Sequence, residues 1–256
     1  MSTYQDISLA VEDGIARVTV ERAEKLNAMR NRTADELRDA FERLEADAEV
    51  RAVILTGAGR GFGAGYDLAT IDPDETPALD HVLEAHFNPL IRRMRSSRLP
   101  IVSAVNGPCA GASVGVALAG DIVLAGRSAF FYEPFVGIAL VPDAGNTLFL
   151  PGIAGRIRAS AAMLLGERIA AEEAMAWGLV WRVVEDAELE AQAMAIAGRL
   201  ARLAPAAVAA TKRLIARASE PALDAQLDLE RDLQAEAGRS PEMKAAVAAF
   251  LARRAR

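Results

Sequence analysis

The chain has 256 residues and is poor in the groups that most often announce a chemistry. Its single cysteine, Cys109, excludes an intrachain disulfide and fits a reducing, cytoplasmic setting. Its two histidines, His81 and His86, lie five apart, which does not match the i, i+4 spacing of a helical zinc motif. No cysteine or carboxylate cluster accompanies them, so no metal site is expected. No uninterrupted apolar run reaches the ~20 residues that a membrane helix needs. The first residues lack a basic segment followed by an apolar one, so neither export nor a membrane is expected. A net charge of −6 argues against a nucleic-acid surface, which is normally basic. Aromatic residues make up only 5% of the chain. With a hydrophobic content of 52%, the core must therefore come from Ala, Val, Leu and Ile.

What is present is periodic. Ile7–Val11 and Ile15–Val20 alternate around Glu12-Asp13-Gly14 and predict a hairpin. Leu37, Ala40, Phe41 and Leu44 mark an amphipathic helix over 33–48. Strands are predicted at 52–56, 101–105, 121–125, 130–132 and 179–184. A loop is predicted at 69–79 and a helix at 80–97, with another helix running to about Ala119 and two more at 156–165 and 171–177. From 186 onward the chain reads as helix, and Pro205, Pro221 and Pro241 stand near helix starts, where proline is tolerated. The fold class is α/β with an all-helical C-terminal region.

Two stretches of small residues follow β-branched runs: Gly57-Ala58-Gly59-Arg60-Gly61-Phe62-Gly63-Ala64-Gly65-Tyr66-Asp67-Leu68 and Asn106-Gly107-Pro108-Cys109-Ala110-Gly111-Ala112-Ser113-Val114-Gly115. Such junctions let a ligand approach the backbone, and two of them can converge on one oxygen. Gly111-Ala112-Ser113-Val114-Gly115 imitates a hydrolase elbow, but no histidine follows it, so Ser113 reads as a packing residue. Gly59-x-Gly61-x-x-Ala64 imitates a dinucleotide fingerprint, but the acidic residues at the expected distance, Asp80 and Glu84, fall in a predicted helix. Cys109 reads as a small buried hydrophobe. Asp143, in Pro142-Asp143-Ala144-Gly145 before a helix, is open to two readings. It is an N-cap, or a carboxylate base whose pKa is raised by apolar surroundings.

Several ordered segments resemble the crotonase superfamily of enoyl-CoA hydratases and isomerases. They are Glu24-Lys25-Leu26-Asn27-Ala28, Gly61-Phe62-x-Ala64-Gly65-x-Asp67-Leu68, Ala104-Val105-Asn106-Gly107, Gly120-Asp121-Ile122, Val141-Pro142-Asp143-Ala144-Gly145 and Trp177-Gly178-Leu179-Val180. The resemblance implies a spiral of β-β-α turns over residues 1–200 and a helical trimerisation region over 201–256, with trimers often paired into hexamers. It implies an acyl-CoA thioester as substrate, with coenzyme A as part of that substrate and no resident cofactor. It also implies that backbone N–H groups of Tyr66 and Ala112 hold the thioester oxygen. Lys25, Leu26, Ala64, Gly65, Asp67, Leu68, Gly111, Glu133, Phe135 and Leu140 are implied as substrate or CoA contacts. Hydratases of the family use two glutamates, and those positions are Gly115 and Phe135 here. Glu133, two residues before Phe135, is a possible substitute.

The branch of the family that isomerises ring-epoxide phenylacetyl-CoA is similar in Phe87–Arg93, Leu223–Asp232 and Ala237–Ser240. That branch lacks both glutamates and uses the turn aspartate, which implies Asp143 as the base. Asn146, Tyr66 and Tyr132–Phe135 depart from the usual pattern. The expected activity is therefore acyl-CoA isomerisation. A hydratase using Glu133, a non-catalytic acyl-CoA binder and a dinucleotide oxidoreductase are the alternatives.

Overall fold

The computed structural model describes residues 4–72, 78–219 and 223–254. The opening alternation forms β1 (Ile7–Glu12) and β2 (Ile15–Val20), paired antiparallel. Asp13 and Gly14 join them at φ of 50° and 74°, as a two-residue hairpin turn requires. Next, α1 (Asn31–Ala46) buries the predicted Leu37, Ala40, Phe41 and Leu44. β3 (Ala52–Gly57) follows and pairs with β2 in parallel. The helix expected at 80–97 is α2 (Leu79–Val82) and α3 (Asn88–Ser96), joined by a π-helical turn over Leu83–Phe87. Of the loop expected at 69–79, residues 73–77 lie outside the described residues, and Leu68–Thr70 forms a 3-10 turn.

The chain then repeats a motif. β4 (Ile101–Val105), β5 (Pro108–Ala110) and α4 (Ala112–Leu118) are followed by β6 (Ile122–Gly126), β7 (Phe130–Tyr132) and α5 (Asn146–Ala154). After these come α6 (Arg156–Leu165), β8 (Arg168–Ala170), α7 (Ala171–Trp177), β9 (Arg182–Val184) and α8 (Leu189–Ala201). A larger sheet has the order β1-β2-β3-β4-β6-β9 and a smaller one β5-β7-β8. Each pass thus lays one strand in each sheet before turning into a helix, which is the expected β-β-α spiral. Two short strands, β5 and β8, were not predicted: β5 lies within the second small-residue stretch, and β8 lies between the helices α6 and α7. The strand expected at 179–184 is shorter, beginning at Arg182. Gly178 at φ 88° ends α7, and Leu179 N–H then donates back to the Ala174 carbonyl at 2.9 Å.

The parallel strands are apolar throughout because both faces are covered. Leu189, Ala193, Ile196 and Ala197 of α8 pack on Ile54, Val102 and Leu124, and α1, α3 and α4 cover the other face. Of the remaining helices, α9 (Pro205–Ser219), α10 (Leu223–Gly238) and α11 (Pro241–Arg254), two start at predicted prolines. The C-terminal helices also reach inward. Met243 and Val247 of α11 share a cluster with Ile71, Leu79, Phe135 and Leu140.

Candidate active site

The two small-residue stretches run side by side. Phe62 and Gly63 N–H groups donate to the Pro108 carbonyl at 3.0 and 3.1 Å, and Ala110 N–H donates to Gly63 at 2.8 Å. Gly65 and Gly111, at φ of +85° and +53°, meet where the stretches come closest. A Cβ on Gly65 would lie 3.0 Å from the Ala110 carbonyl oxygen, and one on Gly111 would lie 3.5 Å from Gly65 Cα. Ser113, the centre of the elbow-like motif, is buried and accepts the Gly65 N–H at 3.0 Å. Its hydroxyl ties the stretches together.

Peptide planarity then aims two donors. In a trans peptide the carbonyl and the next N–H point in opposite directions. The Gly65 carbonyl accepts Met29 N–H at 2.7 Å, so the Tyr66 N–H of the same peptide points away from Met29. The Gly111 carbonyl accepts Val114 N–H at 2.9 Å and Asn146 Nδ2 at 3.1 Å, so the Ala112 N–H points away from α5. Ala112 begins α4, where an N–H has no intrahelical acceptor. Tyr66 and Ala112 both line one apolar cleft of about 610 Å³, counting its open mouth.

Asp143 also lines that cleft. Its turn is strained, with Ala144 at φ 53° and Gly145 at φ 82°, a conformation that non-glycine residues adopt at a cost. The strain brings the Ala144 carbonyl onto α4, where a Cβ on Gly115 would sit 2.2 Å from its oxygen. Here the aspartate turn itself occupies the space beside Gly115. The Asp143 side chain does not cap α5. Its N-cap residue is Gly145, and Glu230 of α10 accepts the Gly145 and Thr147 N–H groups at 2.9 and 3.3 Å.

Three buried carboxyls surround this turn, and the donors that serve them grade their ionisation. Glu230 accepts Gly145 N–H, Thr147 N–H and the Thr147 hydroxyl. Asp143 Oδ2 accepts one side-chain donor, Gln234 Nε2, at 2.9 Å. Asp143 Oδ1 and both oxygens of Glu133 are buried and have no partner among the described residues. Burial pushes the Asp143 pKa up from 3.8 to about 7, and the nearby Glu230 charge adds to it. Burial, with the Asp143 and Glu230 charges, pushes the Glu133 carboxyl well above its ordinary value.

The structure brings Ala64, Tyr66, Leu68, Gly111, Ala112, Phe135, Leu140 and Asp143 to the cleft. Gly65 lies directly behind it, against Gly111. Lys25, Leu26, Asp67 and Glu133 do not line it. Lys25 closes a 3-10 turn before Leu26, whose Cδ2 would lie 3.8 Å from a Cβ on Gly61. Asp67 is buried in an ion pair with Arg22 at 2.8 Å. Neither histidine reaches the cleft. His86 bonds Asp35 at 2.9 Å, and His81 stacks edge-on to His86 with ring centroids 6.1 Å apart. Among the described residues no cluster of His, Cys, Asp and Glu could hold a metal. No single helix among them is long and apolar enough to cross a membrane. The apolar wall opposite Asp143 includes Leu79, Val82, Leu83 and Phe87, presented by α2 and the π-helical turn.

The sequence reading missed Gln234 and Glu230. They lie four apart on one face of α10, the spacing that puts two side chains on one helical surface. Gln234 also holds the turn backbone, accepting Val141 N–H at 3.2 Å and donating to the Val141 carbonyl at 3.0 Å.

Residues 10–256 match the model of a family described as enoyl-CoA hydratase/isomerase. The 1,2-epoxyphenylacetyl-CoA isomerase of Escherichia coli K12 is 43% identical over 247 residues, covering 95% of this chain and 94% of that protein. A Rhodobacter capsulatus protein named "Probable enoyl-CoA hydratase" is 41% identical, covering 98% of this chain and 97% of its own length. A crystal structure of an enoyl-CoA hydratase from Mycobacterium avium subsp. paratuberculosis superimposes with a TM-score of 0.90 at 35% identity, covering 98% and 97% of the two chains.

Proposed function

Because this chain belongs to the enoyl-CoA hydratase/isomerase family, we propose that it is an acyl-CoA isomerase that works with one carboxylate. The observation that carries this reading is that Asp143 is the sole carboxylate among the described residues lining the apolar cleft. The thioester oxygen sits between the N–H groups of Tyr66 and Ala112, which acidify the adjacent carbon and stabilise the enolate. Asp143 Oδ1, the oxygen without a partner, takes the α-proton, and the resulting acid returns it to another carbon of the conjugated system. On a ring-epoxide phenylacetyl-CoA the same elements assist rearrangement. A raised Asp143 pKa suits this role, because the group can both accept and release a proton near neutrality. The CoA moiety lies outside the acyl cleft, and Lys25 and Leu26, beside Gly61, are assigned to it.

The hydratase reading has a similar relative behind it. Hydration, however, needs one group to activate water and another to protonate carbon. The positions that the family resemblance assigns to those groups are Gly115, pressed against Ala144, and Phe135, an apolar wall of the cleft. Glu133 is buried off the cleft, out of reach of a water bound there.

A homotrimer, or a hexamer built from it, is the proposed assembly. Ile157, Leu164 and Leu165 on α6 and Trp181 before β9 are 70, 65, 69 and 52% exposed, more apolar surface than a lone subunit gains from. Asp143→Asn tests the activity. It should abolish isomerisation of a β,γ-enoyl-CoA and of ring-epoxide phenylacetyl-CoA while acyl-CoA still binds by calorimetry. Full activity of the variant on both would refute the proposal.

A further inference from the structure

Asn146 joins the two halves of the site. It is the first residue of α5 and is fully buried. Its backbone N–H donates to the Asp143 carbonyl at 3.0 Å. Its side-chain Nδ2 donates to the Gly111 carbonyl at 3.1 Å. Its Oδ1 is buried and has no partner among the described residues, so the side chain acts through its donor alone. A buried amide that leaves half its bonding capacity unmet is costly, and the bond it does make goes to one peptide.

That peptide is the one whose N–H belongs to Ala112. A planar peptide rotates as a unit. A donor fixed on the Gly111 oxygen therefore fixes the direction of the Ala112 N–H at the other edge. The second bond to this carbonyl, from Val114 N–H, comes from the first turn of α4 and cannot report where α5 is. Gly111 has φ 53° and ψ −132°, a conformation with little intrinsic preference to hold the plane. The Tyr66 peptide differs. Its carbonyl is held by the backbone N–H of Met29 in a ladder that Asp67 N–H extends.

We propose that Asn146 is a positioning residue that aims the Ala112 N–H at the thioester oxygen and locks that donor to the turn carrying Asp143, so that donor and base keep one spacing. This rests on the oxyanion reading above. A glycine or alanine at 146 would leave the Gly111 carbonyl with the Val114 bond only. An aspartate, of equal size, would set an acceptor against an acceptor.

The test compares Asn146→Ala and Asn146→Asp with the wild type using two ligands: an acyl-CoA thioester, and the matching thioether with a methylene in place of the thioester carbonyl. The thioether has no oxygen for the Ala112 N–H. The expected result for both variants is a 10–100-fold fall in kcat and weaker thioester binding, with thioether affinity within about twofold of wild type. Equal weakening for both ligands would mean that Asn146 only supports the fold, and would overturn the proposal, as would an unchanged kcat with unchanged thioester preference. If one variant fails to fold, the other still decides. The affinity ratio needs no turnover. A wild type that binds both ligands equally contradicts the oxyanion reading itself, a failure distinct from that of Asn146.

Discussion

The two walls of the cleft are built on different principles. One is backbone: Gly65–Tyr66 and Gly111–Ala112 meet through glycines at positive φ, and hydrogen bonds to the Gly65 and Gly111 carbonyls turn the following N–H groups away from those partners. The other is side chain: Asp143 sits in a strained turn whose surroundings come from α10, through Gln234 and Glu230. The backbone wall tolerates most side-chain changes, since its donors survive them. The side-chain wall depends on each neighbour, because a buried carboxylate takes its pKa from the few groups that touch it. The difference teaches where the chemistry can be tuned. On the proposed function, charge stabilisation comes from the fold's backbone, and the strength of the base is set by a helix that arrives about ninety residues later.

Substitutions can break either wall separately. After the loss of Asp143 itself, the largest effect on turnover is expected from Gly65→Ala. At φ +85°, with its Cβ 3.0 Å from the Ala110 oxygen, the new side chain must push Tyr66 off line. Turnover should fall by about 10²–10³-fold in a kcat assay, while an alanine at the exposed Ser8 on β1 leaves it unchanged.

Next is a gain. The Asp143 pKa is higher folded, about 7, than its ordinary 3.8, so the folded state binds the proton more tightly. The resulting penalty on stability is absent below the unfolded pKa, grows as pH rises between the two values, and is full above about 7. Asp143→Asn should therefore stabilise the protein at pH 8 by roughly 1–4 kcal/mol and little at pH 4, read by urea denaturation.

Gln234→Leu removes the side-chain donor to Asp143 Oδ2. The Asp143 pKa should rise further, moving the acid limb of kcat/KM up by about 1–2 pH units. Glu230→Gln removes a neighbouring charge that raises it, and should move the same limb down by about half a unit.

How far the sequence revealed each wall follows from where its parts lie. The backbone wall was legible as two runs of small residues after β-branched strands, a local pattern, while the family resemblance alone singled out Tyr66 and Ala112 within it. The alternation of apolar strands and amphipathic helices was legible in the periodicity, whereas the spiral was legible only through the family resemblance; β5 lay inside a small-residue stretch and β8 between two helices, where no strand pattern shows. Asp143 was ambiguous between cap and base because both occur in a turn before a helix. Only the position of Glu230, which caps α5 from α10, separates them. Gln234 was invisible for the same reason: amphipathicity shows that a helical face is buried, and not what it is buried against. Gly115 looked like a lost glutamate. The structure places the Ala144 carbonyl in that space, so the absent glutamate and the aspartate turn are one local arrangement.

The most direct measurement is the pH dependence of isomerisation, with the wild type and Asp143→Asn compared on one β,γ-enoyl-CoA. The account predicts that wild-type kcat/KM rises with pH as a single group ionises near 7 and that the variant shows no such rise and almost no turnover. A variant that keeps the wild-type profile, or a wild type that hydrates crotonyl-CoA and isomerises nothing, would contradict it.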